Sequence, residues 1–142
     1  MNIQLIGVGT PEYGQMKQLR LEVLLRPIGV PESYINPERE AKEHLVAAFG
    51  QEEMIGCCVL TPQPEKRLQL RQMAVHKRWQ GKGVGAAILA FCEAWATQQG
   101  FTEIYMHARD VVIPFYEKSG YGIRGEQFFE VGIPHHVMIK AI

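Results

Sequence analysis

The sequence predicts an α/β (α+β) fold in which a mixed β-sheet is flanked by helices. Strand-like and helical segments follow the order β-α-β-β-β-α-β-α-β-β, which is typical of a mixed sheet rather than of uniform βαβ units. The length of 142 residues favours one domain over residues 1–142. Apolar residues make up 46% of the chain and charged residues 21%, so the composition supports a packed core.

The first half of the chain predicts one helix and four strands. The segments are a strand over Asn2–Ile6, a helix over Pro11–Arg26, a loop over Pro27–Glu40 with a helical turn from Pro37 to Glu43, strands over His44–Phe49 and Met54–Leu60, a loop over residues 61–67 and a strand over Leu68–His76. Thr10 followed by Pro11 marks the beginning of the helix, and Pro27 marks its end because proline lacks the N–H that a helix interior needs. Residues 50–53, Gly-Gln-Glu-Glu, predict a hairpin.

The second half predicts two helices that end at glycines and three strands. The segments are a helix over Gly81–Gln99, a strand over Thr102–Arg109, a helix over Val111–Ser119 and strands over Tyr121–Glu130 and His136–Ala141. The first of these helices has an apolar stripe that predicts a core-facing side, formed by Val84, Ile88, Phe91, Cys92 and Trp95. In the strand Leu68–His76 the apolar positions change from even to odd numbers. A β-bulge near Gln72 and a strand buried on both faces explain this change equally well.

Composition and charge argue against several classes of protein. Lysine plus arginine equals aspartate plus glutamate at 15 each, whereas a dedicated nucleic-acid-binding protein normally carries a basic surplus. No apolar run approaches the roughly 18 residues of a membrane span, and the N-terminus lacks the pattern of a signal peptide. Three cysteines without regular spacing predict reduced thiols and a cytoplasmic protein. The five histidines are scattered, so no metal site is expected.

A glycine-rich turn joins the strand Leu68–His76 to the next helix in the stretch VHKRWQGKGVGAAIL. Its glycines stand at alternate positions, Gly81, Gly83 and Gly85. The unpaired N–H groups and the dipole at the start of a helix favour a phosphate group, and Arg78 and Lys82 add positive charge. The alternative is an ordinary glycine-rich connection. Two nucleotide motifs fit poorly, because no Ser or Thr follows Gly-Lys and because Ala86 stands where a dinucleotide fingerprint needs glycine.

A third motif fits this turn better. Gln80-x-x-Gly83-x-Gly85 matches the Q/R-x-x-G-x-G/A signature of the GNAT superfamily of N-acetyltransferases, and Arg78-x-x-Gly81-x-Gly83 matches it in an overlapping frame. IPFYEKSGYG resembles the second conserved block of that family, and the resemblance covers Leu68–Gly122. The tail GIPHHVMIK is similar to ElaA-like members. The resemblance implies the GNAT acyl-CoA N-acyltransferase fold, in which two central parallel strands splay apart.

The resemblance also implies acetyl-CoA as co-substrate, held between the splayed strands Leu68–His76 and Thr102–Arg109. The implied contacts are Met73, Ala74 and Val75 to the pantetheine arm, and Arg78 and the amides of Gln80, Gly81, Lys82, Gly83, Val84, Gly85 and Ala86 to the pyrophosphate. Arg109 stands where many members have asparagine, and it is expected to contact the co-substrate in another way. Phe115 is expected in the core, where it also touches pantetheine.

Tyr116 is the residue that the resemblance implies as general acid. A tyrosine within reach can protonate the departing thiolate, because a free thiol has a pKa near ~8.5 and a phenol near ~10. The alternative is an aromatic residue that only packs beside Phe115. For the general base, His135 is the first choice, because it is expected in a loop after Pro134 and because histidine titrates near neutral pH. The other candidates are His76, His107, His136 and Glu22.

The predicted function is therefore transfer of an acetyl group from acetyl-CoA to a primary amine of a small molecule, peptide or protein. Direct attack in a ternary complex is favoured, because Cys92 lies on the apolar helix stripe and is expected to be buried. The alternatives are a non-catalytic CoA-binding module and a nucleotide-binding domain of another class. The acceptor groove is expected between Pro27–Glu40 and Gln127–His136, whose carboxylates favour a cationic small amine. Because members of the family often dimerise, a homodimer is an expectation.

Overall fold

One seven-stranded sheet runs through the whole chain in the computed structural model, which describes every residue from Met1 to Ile142. The strands are β1 Asn2–Ile6, β2 His44–Gly50, β3 Glu53–Gln63, β4 Arg67–Val75, β5 Glu103–Arg109, β6 Gly122–Glu130 and β7 Ile133–Ala141. Their order in the sheet is β1-β2-β3-β4-β5-β7-β6. Only β4 and β5 are parallel, and every other pair is antiparallel. The predicted mixed sheet is confirmed.

Four α-helices pack on the two faces of this sheet. They are α1 Pro11–Arg20, α2 Pro37–Glu40, α3 Val84–Gln98 and α4 Ile113–Lys118. One hydrophobic core joins α1 to the face that carries Cys57, and a larger core joins α3 and α4 to the face that carries Cys58. We call these the α1 face and the α3 face. Adjacent strand residues point to opposite faces, and both cysteines are buried and unbridged, as expected of packing residues.

The first helical segment changes its geometry before it ends. The α-helix stops at Arg20, a π-helical turn covers Leu21–Leu25, and a 3₁₀ turn covers Arg26–Ile28. Gly29 then closes the segment in the left-handed conformation, with φ of 72°. The predicted end near Arg26 is close to the observed one. The change of helix type is the part that was not predicted, and it fits the loss of the Pro27 N–H, which cannot continue the α-helical ladder.

Two proline-containing segments that were predicted as loops belong to strands. Each proline lies just beyond the end of a neighbouring strand, where its missing N–H has no partner to bind. Strand β3 continues through Pro62 to Gln63, where β2 no longer pairs with it. Strand β7 already begins at Ile133, and its pairing with β5 starts only at His135. A proline at such a position does not remove a ladder hydrogen bond. His135 therefore lies in a strand and not in the expected loop.

Helix α3 begins three residues later than the sequence predicts. Gly81 and Gly83 have φ of 74° and 82°, so they form a turn before the helix rather than its first residues. The apolar stripe of α3 is confirmed: Val84, Ile88 and Cys92 are buried, and Phe91 and Trp95 pack against the same core. No helix in the structure is long and apolar enough to cross a bilayer. The cytoplasmic location stays a prediction.

Candidate active site

The two parallel strands at the centre of the sheet separate after a short paired stretch. Only three residue pairs join β4 to β5, and the last is Gln69 with Tyr105. Both strands continue beyond this point, β4 to Val75 and β5 to Arg109, but they no longer pair with each other. A cleft of about 1010 Å³ opens between them and reaches the glycine-rich turn. The splayed parallel strands that the family resemblance implies are therefore present.

A β-bulge in β4 marks the place where the strands separate. The register between β3 and β4 shifts between Cys57 and Val59, and Gln72 has a φ of 51°. A positive φ is uncommon for a residue with a side chain, and here it accommodates the extra residue of the bulge. Before the bulge Leu70 lies in the core of the α3 face, and after it Ala74 lies in that of the α1 face. The bulge explanation of the phase change is confirmed.

A buried polar network holds the bulge, and the sequence analysis did not identify it. Arg20 is completely buried and donates from Nε to Oε1 of Gln72 at 2.7 Å. Its two terminal nitrogens donate to both carboxylate oxygens of Glu40, at 2.8 and 2.6 Å. The hydroxyl of Tyr13 also donates to Glu40 at 2.8 Å. This bidentate ion pair fixes the orientation of the Arg20 guanidinium, which in turn holds the side chain of Gln72 at the bulge.

The glycine-rich turn presents unpaired amides to the cleft. No backbone N–H from Gly81 to Ala86 donates to a carbonyl group of the chain. Gly83 is the N-cap residue of α3 and has no side chain to cap the helix. The amides therefore keep their hydrogen-bonding capacity, and the positive end of the α3 dipole adds to their attraction for an anion.

Gly85 has a different role from the two glycines of the turn. A Cβ at Gly85 would lie 2.8 Å from Cζ of Phe115, whereas no atom lies within 4 Å of one at Gly81 or Gly83. Gly85 therefore allows α4 to pack closely on the start of α3. Because Phe115 also lines the cleft, this contact sets the width of the cleft beside the amides.

Most of the site residues predicted from the sequence meet in this one cleft. Those that line it are Met73, Val75, Gln80, Gly81, Gly83, Val84, Gly85, Ala86, Arg109, Phe115, Tyr116 and His135. Three predicted residues do not line it. Ala74 is buried in the α1-face core, Arg78 forms an exposed ion pair with Glu53, and the Lys82 ammonium lies over the ring of Trp79. For these three, any contact with a ligand would be made by backbone atoms or would require the side chain to move.

Tyr116 combines burial with an accessible hydroxyl. Its ring packs in the α3-face core, 5.0 Å from the ring of Phe115 and 6.0 Å from that of Tyr121. The hydroxyl bonds to no other group of the protein, yet it is not fully enclosed, and the residue lines the cleft. Burial raises the pKa of Tyr116 above its ordinary value. The phenol therefore stays protonated at neutral pH and has a proton to donate.

His135 approaches the same cleft from the opposite face of the sheet. Met138 lies in the α3-face core, so strand alternation places His135 on the α1 face. The side chain is buried, and its Nδ1 lies 2.7 Å from the carbonyl oxygen of Ile133. A carbonyl only accepts, so Nδ1 carries the proton and the neutral ring keeps a lone pair on Nε2. That nitrogen lies 3.8 Å from Oε2 of Glu130.

Glu130 joins His135 to a second histidine that sequence reasoning ranked lower. The other oxygen of Glu130 lies 3.0 Å from Nδ1 of His107, and the ring of Phe128 packs against both histidine rings. His107 lines the cleft together with Glu130 and His135. A carboxylate between two histidines can stabilise the protonated form of either one. A period-2 count over the β6–β7 hairpin could have placed Phe128, Glu130 and His135 on one face, but not His107, which lies on β5.

The three remaining candidates for the general base lie outside the cleft. His136 points to the other face and contacts Asp110 at 2.7 Å, while Gln127 donates to the second oxygen of Asp110. The bonds from Gln127 and His136 lower the pKa of Asp110 below its ordinary value. Neither His76 nor Glu22 lines the cleft.

The carboxylates that favoured a cationic acceptor are mostly elsewhere. Of Glu32, Glu38, Glu40 and Glu130, only Glu130 lines the cleft. Glu40 is buried with Arg20 instead. The wall of the cleft on the α1 face is largely apolar, and its members are Val23, Leu24, Leu25, Ile28, Val30 and Tyr34. The expected basis for a preference for cationic amines is therefore wrong.

Comparison with known proteins agrees with this architecture. The Acetyltransferase (GNAT) family profile matches residues 15–121, which is most of the chain. The chain belongs to the GNAT acetyltransferase family. It is 31% identical over 124 residues to the uncharacterised N-acetyltransferase YjcF of Bacillus subtilis strain 168, covering 86% of this chain and 87% of that protein. The predicted family membership is confirmed.

Solved structures share the fold of this GNAT chain at low sequence identity. An aminoglycoside 6'-N-acetyltransferase complexed with coenzyme A has a TM-score of 0.84 at 19% identity, covering 99% of this chain and 97% of the other. ElaA of Escherichia coli has a TM-score of 0.82 at 17% identity, covering 99% of both chains. These likenesses confirm the GNAT fold. Membership of the ElaA-like branch stays a prediction.

Proposed function

We propose that this GNAT protein transfers the acetyl group of acetyl-CoA to a primary amine of a small molecule, peptide or protein. The observation that carries the proposal is the cleft between β4 and β5, which joins unpaired amides at one end to Tyr116 and His135 on opposite faces. The complex of a structural neighbour with coenzyme A supports the same choice of donor.

The residues of the cleft suit a donor that enters as a thioester with a diphosphate. The amides from Gly81 to Ala86 would bind the pyrophosphate, as helix N-termini bind anions in general. Strand β4 does not pair with β5 at Met73, Ala74 and Val75, so the backbone groups that face β5 there are open to the amide groups of a pantetheine arm. Arg109 would contact the donor from the opposite strand, where it already reaches the carbonyl of Leu24 at 3.4 Å.

The chemistry that we propose is direct attack in a ternary complex. The amine nitrogen forms a bond to the thioester carbonyl carbon, and the carbon–sulfur bond breaks. Nε2 of His135 accepts the proton that the amine loses, and Glu130 stabilises the resulting imidazolium. The hydroxyl of Tyr116 donates its proton to the departing thiolate. Tyr116 then regains a proton from solvent and His135 releases one to solvent, so that both residues return to their starting states.

Isothermal titration of the protein with acetyl-CoA is the first test, with ATP and NAD as controls. We expect saturable one-to-one binding of acetyl-CoA alone. Thiol release with a panel of amines then measures turnover. Tyr116→Phe should lower kcat by about 10²–10⁴-fold and leave the affinity for acetyl-CoA unchanged. Tyr105→Phe is the matched control, since Tyr105 lies on β5 but outside the cleft.

The same experiment separates the alternatives. Acetyl-CoA binding without turnover on any amine would favour a non-catalytic CoA-binding module, and tighter binding of ATP or NAD would favour a nucleotide-binding domain.

The assignment of the general base is tested by comparing His135→Gln with its neighbour His136→Gln, which lies on the other face and outside the cleft. If the two variants lose the same activity, His135 is not the base.

A further inference from the structure

The arginine, lysine and carboxylate side chains that line the cleft are unequal in number. Four are cationic and one is a carboxylate, namely Arg39, Arg71, Arg109 and Lys118 against Glu130. Glu130 is already in contact with His107 at 3.0 Å. An entering molecule therefore meets an excess of positive charge, which attracts an anionic group and repels a cationic one.

Arg39 and Arg71 share a single carboxylate, that of Glu43. Nη1 of Arg71 donates to Oε2 of Glu43 at 3.2 Å, and Nε of Arg39 lies 3.7 Å from Oε1, which is too far for a hydrogen bond. Glu43 is almost completely enclosed, with 4% of its side chain exposed, and it also accepts a hydrogen bond from Thr61, which does not line the cleft. One negative charge thus faces two positive ones.

Most donors of these two guanidinium groups remain unused. The contact with Glu43 is the only hydrogen bond made by the side chain of Arg71, and that of Arg39 makes none. An arginine has five N–H donors whose planar arrangement fits a carboxylate. Both residues line the cleft, so their open donors are within reach of a molecule bound there.

The position of the two arginines assigns them to the acceptor rather than to the donor. Leu68 and Leu70 lie in the α3-face core, so strand alternation places Arg71 on the α1 face, just before the bulge. The unpaired amides at Gly81–Ala86 lie beyond the bulge at the start of α3. His135, the base that we propose, shares the α1 face with Arg71.

We propose that the acceptor is an amine that also carries a carboxylate, and that Arg39 and Arg71 bind this carboxylate. The inference rests on the proposed acetyltransferase function and specifies its substrate class. The largely apolar wall of the cleft, which includes Leu24, Ile28 and Val30, contacts the body of the substrate. The acceptor is accordingly an apolar amino acid or a homologue whose amine stands further from its carboxylate.

The test compares amines that differ only in the carboxylate. Phenylalanine is paired with phenylalanine amide and phenethylamine, and 5-aminopentanoate is paired with butylamine, in the thiol-release assay at fixed acetyl-CoA. The preference is the ratio of kcat/KM within a pair. We expect the wild type to prefer at least one carboxylated member by about tenfold or more, as a lost hydrogen bond to a charged group implies.

Three variants locate the origin of that preference. Arg39→Gln, at an exposed side chain without hydrogen bonds, should lower the ratio about tenfold, because the KM of the carboxylated amine rises. Glu43→Gln should raise the ratio, because it removes the competing carboxylate while a side-chain acceptor for Thr61 remains. Arg124→Gln on β6, exposed and outside the cleft, should leave the ratio unchanged.

The outcomes separate this inference from the proposed function. Turnover of amines with no preference for the carboxylate, or with a ratio that Arg39→Gln does not alter, would overturn the assignment and leave the acetyltransferase function intact. Absence of transfer to every amine with acetyl-CoA bound would overturn both. A raised ratio in Glu43→Gln together with a lowered ratio in Arg39→Gln would support the assignment, since a merely structural role does not move the two in opposite directions.

Discussion

Replacing Glu40 by glutamine should strongly destabilise the protein, although the two side chains have almost the same shape. Glu40 is 2% exposed and receives three hydrogen bonds, two from the guanidinium of Arg20 and one from Tyr13. Arg20 is 0% exposed, and its only other side-chain partner is the neutral amide of Gln72. Glu40→Gln therefore leaves a positive charge buried without a counter-charge.

The expected size of the effect follows from the burial of the pair. Breaking one side of a buried ion pair costs about 3–5 kcal/mol, out of a total stability of about 5–15 kcal/mol. For 142 residues, an unfolding entropy of about 2.1 cal/mol/K per residue gives roughly 0.3 kcal/mol/K, so Tm should fall by about 10–17 °C. Thermal and urea unfolding at pH 7 measure both quantities, with Glu38→Gln as the control at an exposed neighbour.

The pH dependence gives a second, independent measurement on the same pair. Burial alone opposes ionisation of Glu40, but the hydrogen bonds and charge of Arg20 outweigh it and hold the pKa of Glu40 below its ordinary value of 4.5. The contribution of the pair is then complete above the unfolded-state pKa and is lost as pH falls through the lower folded-state value. The stability difference between wild type and Glu40→Gln should stay constant from pH 8 to about 5 and shrink below that.

A loss in Glu40→Gln no larger than the loss in Glu38→Gln would refute this reasoning. A double variant provides the complementary check. Arg20→Met with Glu40→Leu removes both charges together and should be more stable than Glu40→Gln alone, because no charge stays buried without a partner. If the double variant is the less stable one, the cost lies in packing or in the bulge and not in the unpaired charge.

Three further predictions concern the turn, the bulge and the thiols. Gly83→Ala should cost about 1–2 kcal/mol for a φ of 82°, and Gly85→Ala about 1–3 kcal/mol for a Cβ 2.8 Å from Phe115. Gly85→Ala should also weaken acetyl-CoA binding, because it shifts α4. Gln72→Gly should unfold in urea with a free energy about 1–2 kcal/mol higher than that of Gln72→Ala. Both variants lose the hydrogen bond of the Gln72 side chain, but only glycine adopts a φ of 51° without strain. Equal stability of the two variants would contradict a strained bulge. Treatment with iodoacetamide at pH 8 should leave the activity intact, because all three cysteines are buried and burial raises the pKa of the Cys57 thiol to about 12. If alkylation of a cysteine abolishes the activity, an acyl-enzyme mechanism would be supported instead.

Structural features that depend only on residues close together in the sequence could be predicted. The change of phase around Gln72 predicted either a bulge or a strand buried on both faces, and the register shift between β3 and β4 decides for the bulge. The apolar stripe of α3 and the glycines before it likewise predicted a helix that follows a glycine-rich turn. The last strand begins at Ile133 and not at the predicted His136. Because β5 pairs with it only from His135 onward, Pro134 removes no hydrogen bond from that pairing.

The residues that the sequence could not identify act through distant partners. Arg20 and Glu40 are twenty positions apart, and the order of charges between them is that of an ordinary solvated surface. Only the packing of α2 against α1 brings them together in the interior. The expected contribution of Glu40 to the acceptor groove was wrong for the same reason, because its burial against Arg20 depends on tertiary contacts.

The bulge and its network explain how groups on two faces of a sheet can serve one reaction. Tyr116 belongs to the α3 face and His135 to the α1 face, and a fully paired sheet would separate them by a continuous layer of backbone. Pairing between β4 and β5 stops at Gln69, three residues before the bulge, so the opening lies between the two groups. In the reaction that we propose, the amine would attack the thioester from one face and the thiolate would leave toward the other. The buried charge of Arg20 is costly for stability, but it fixes Gln72 at the edge of that opening.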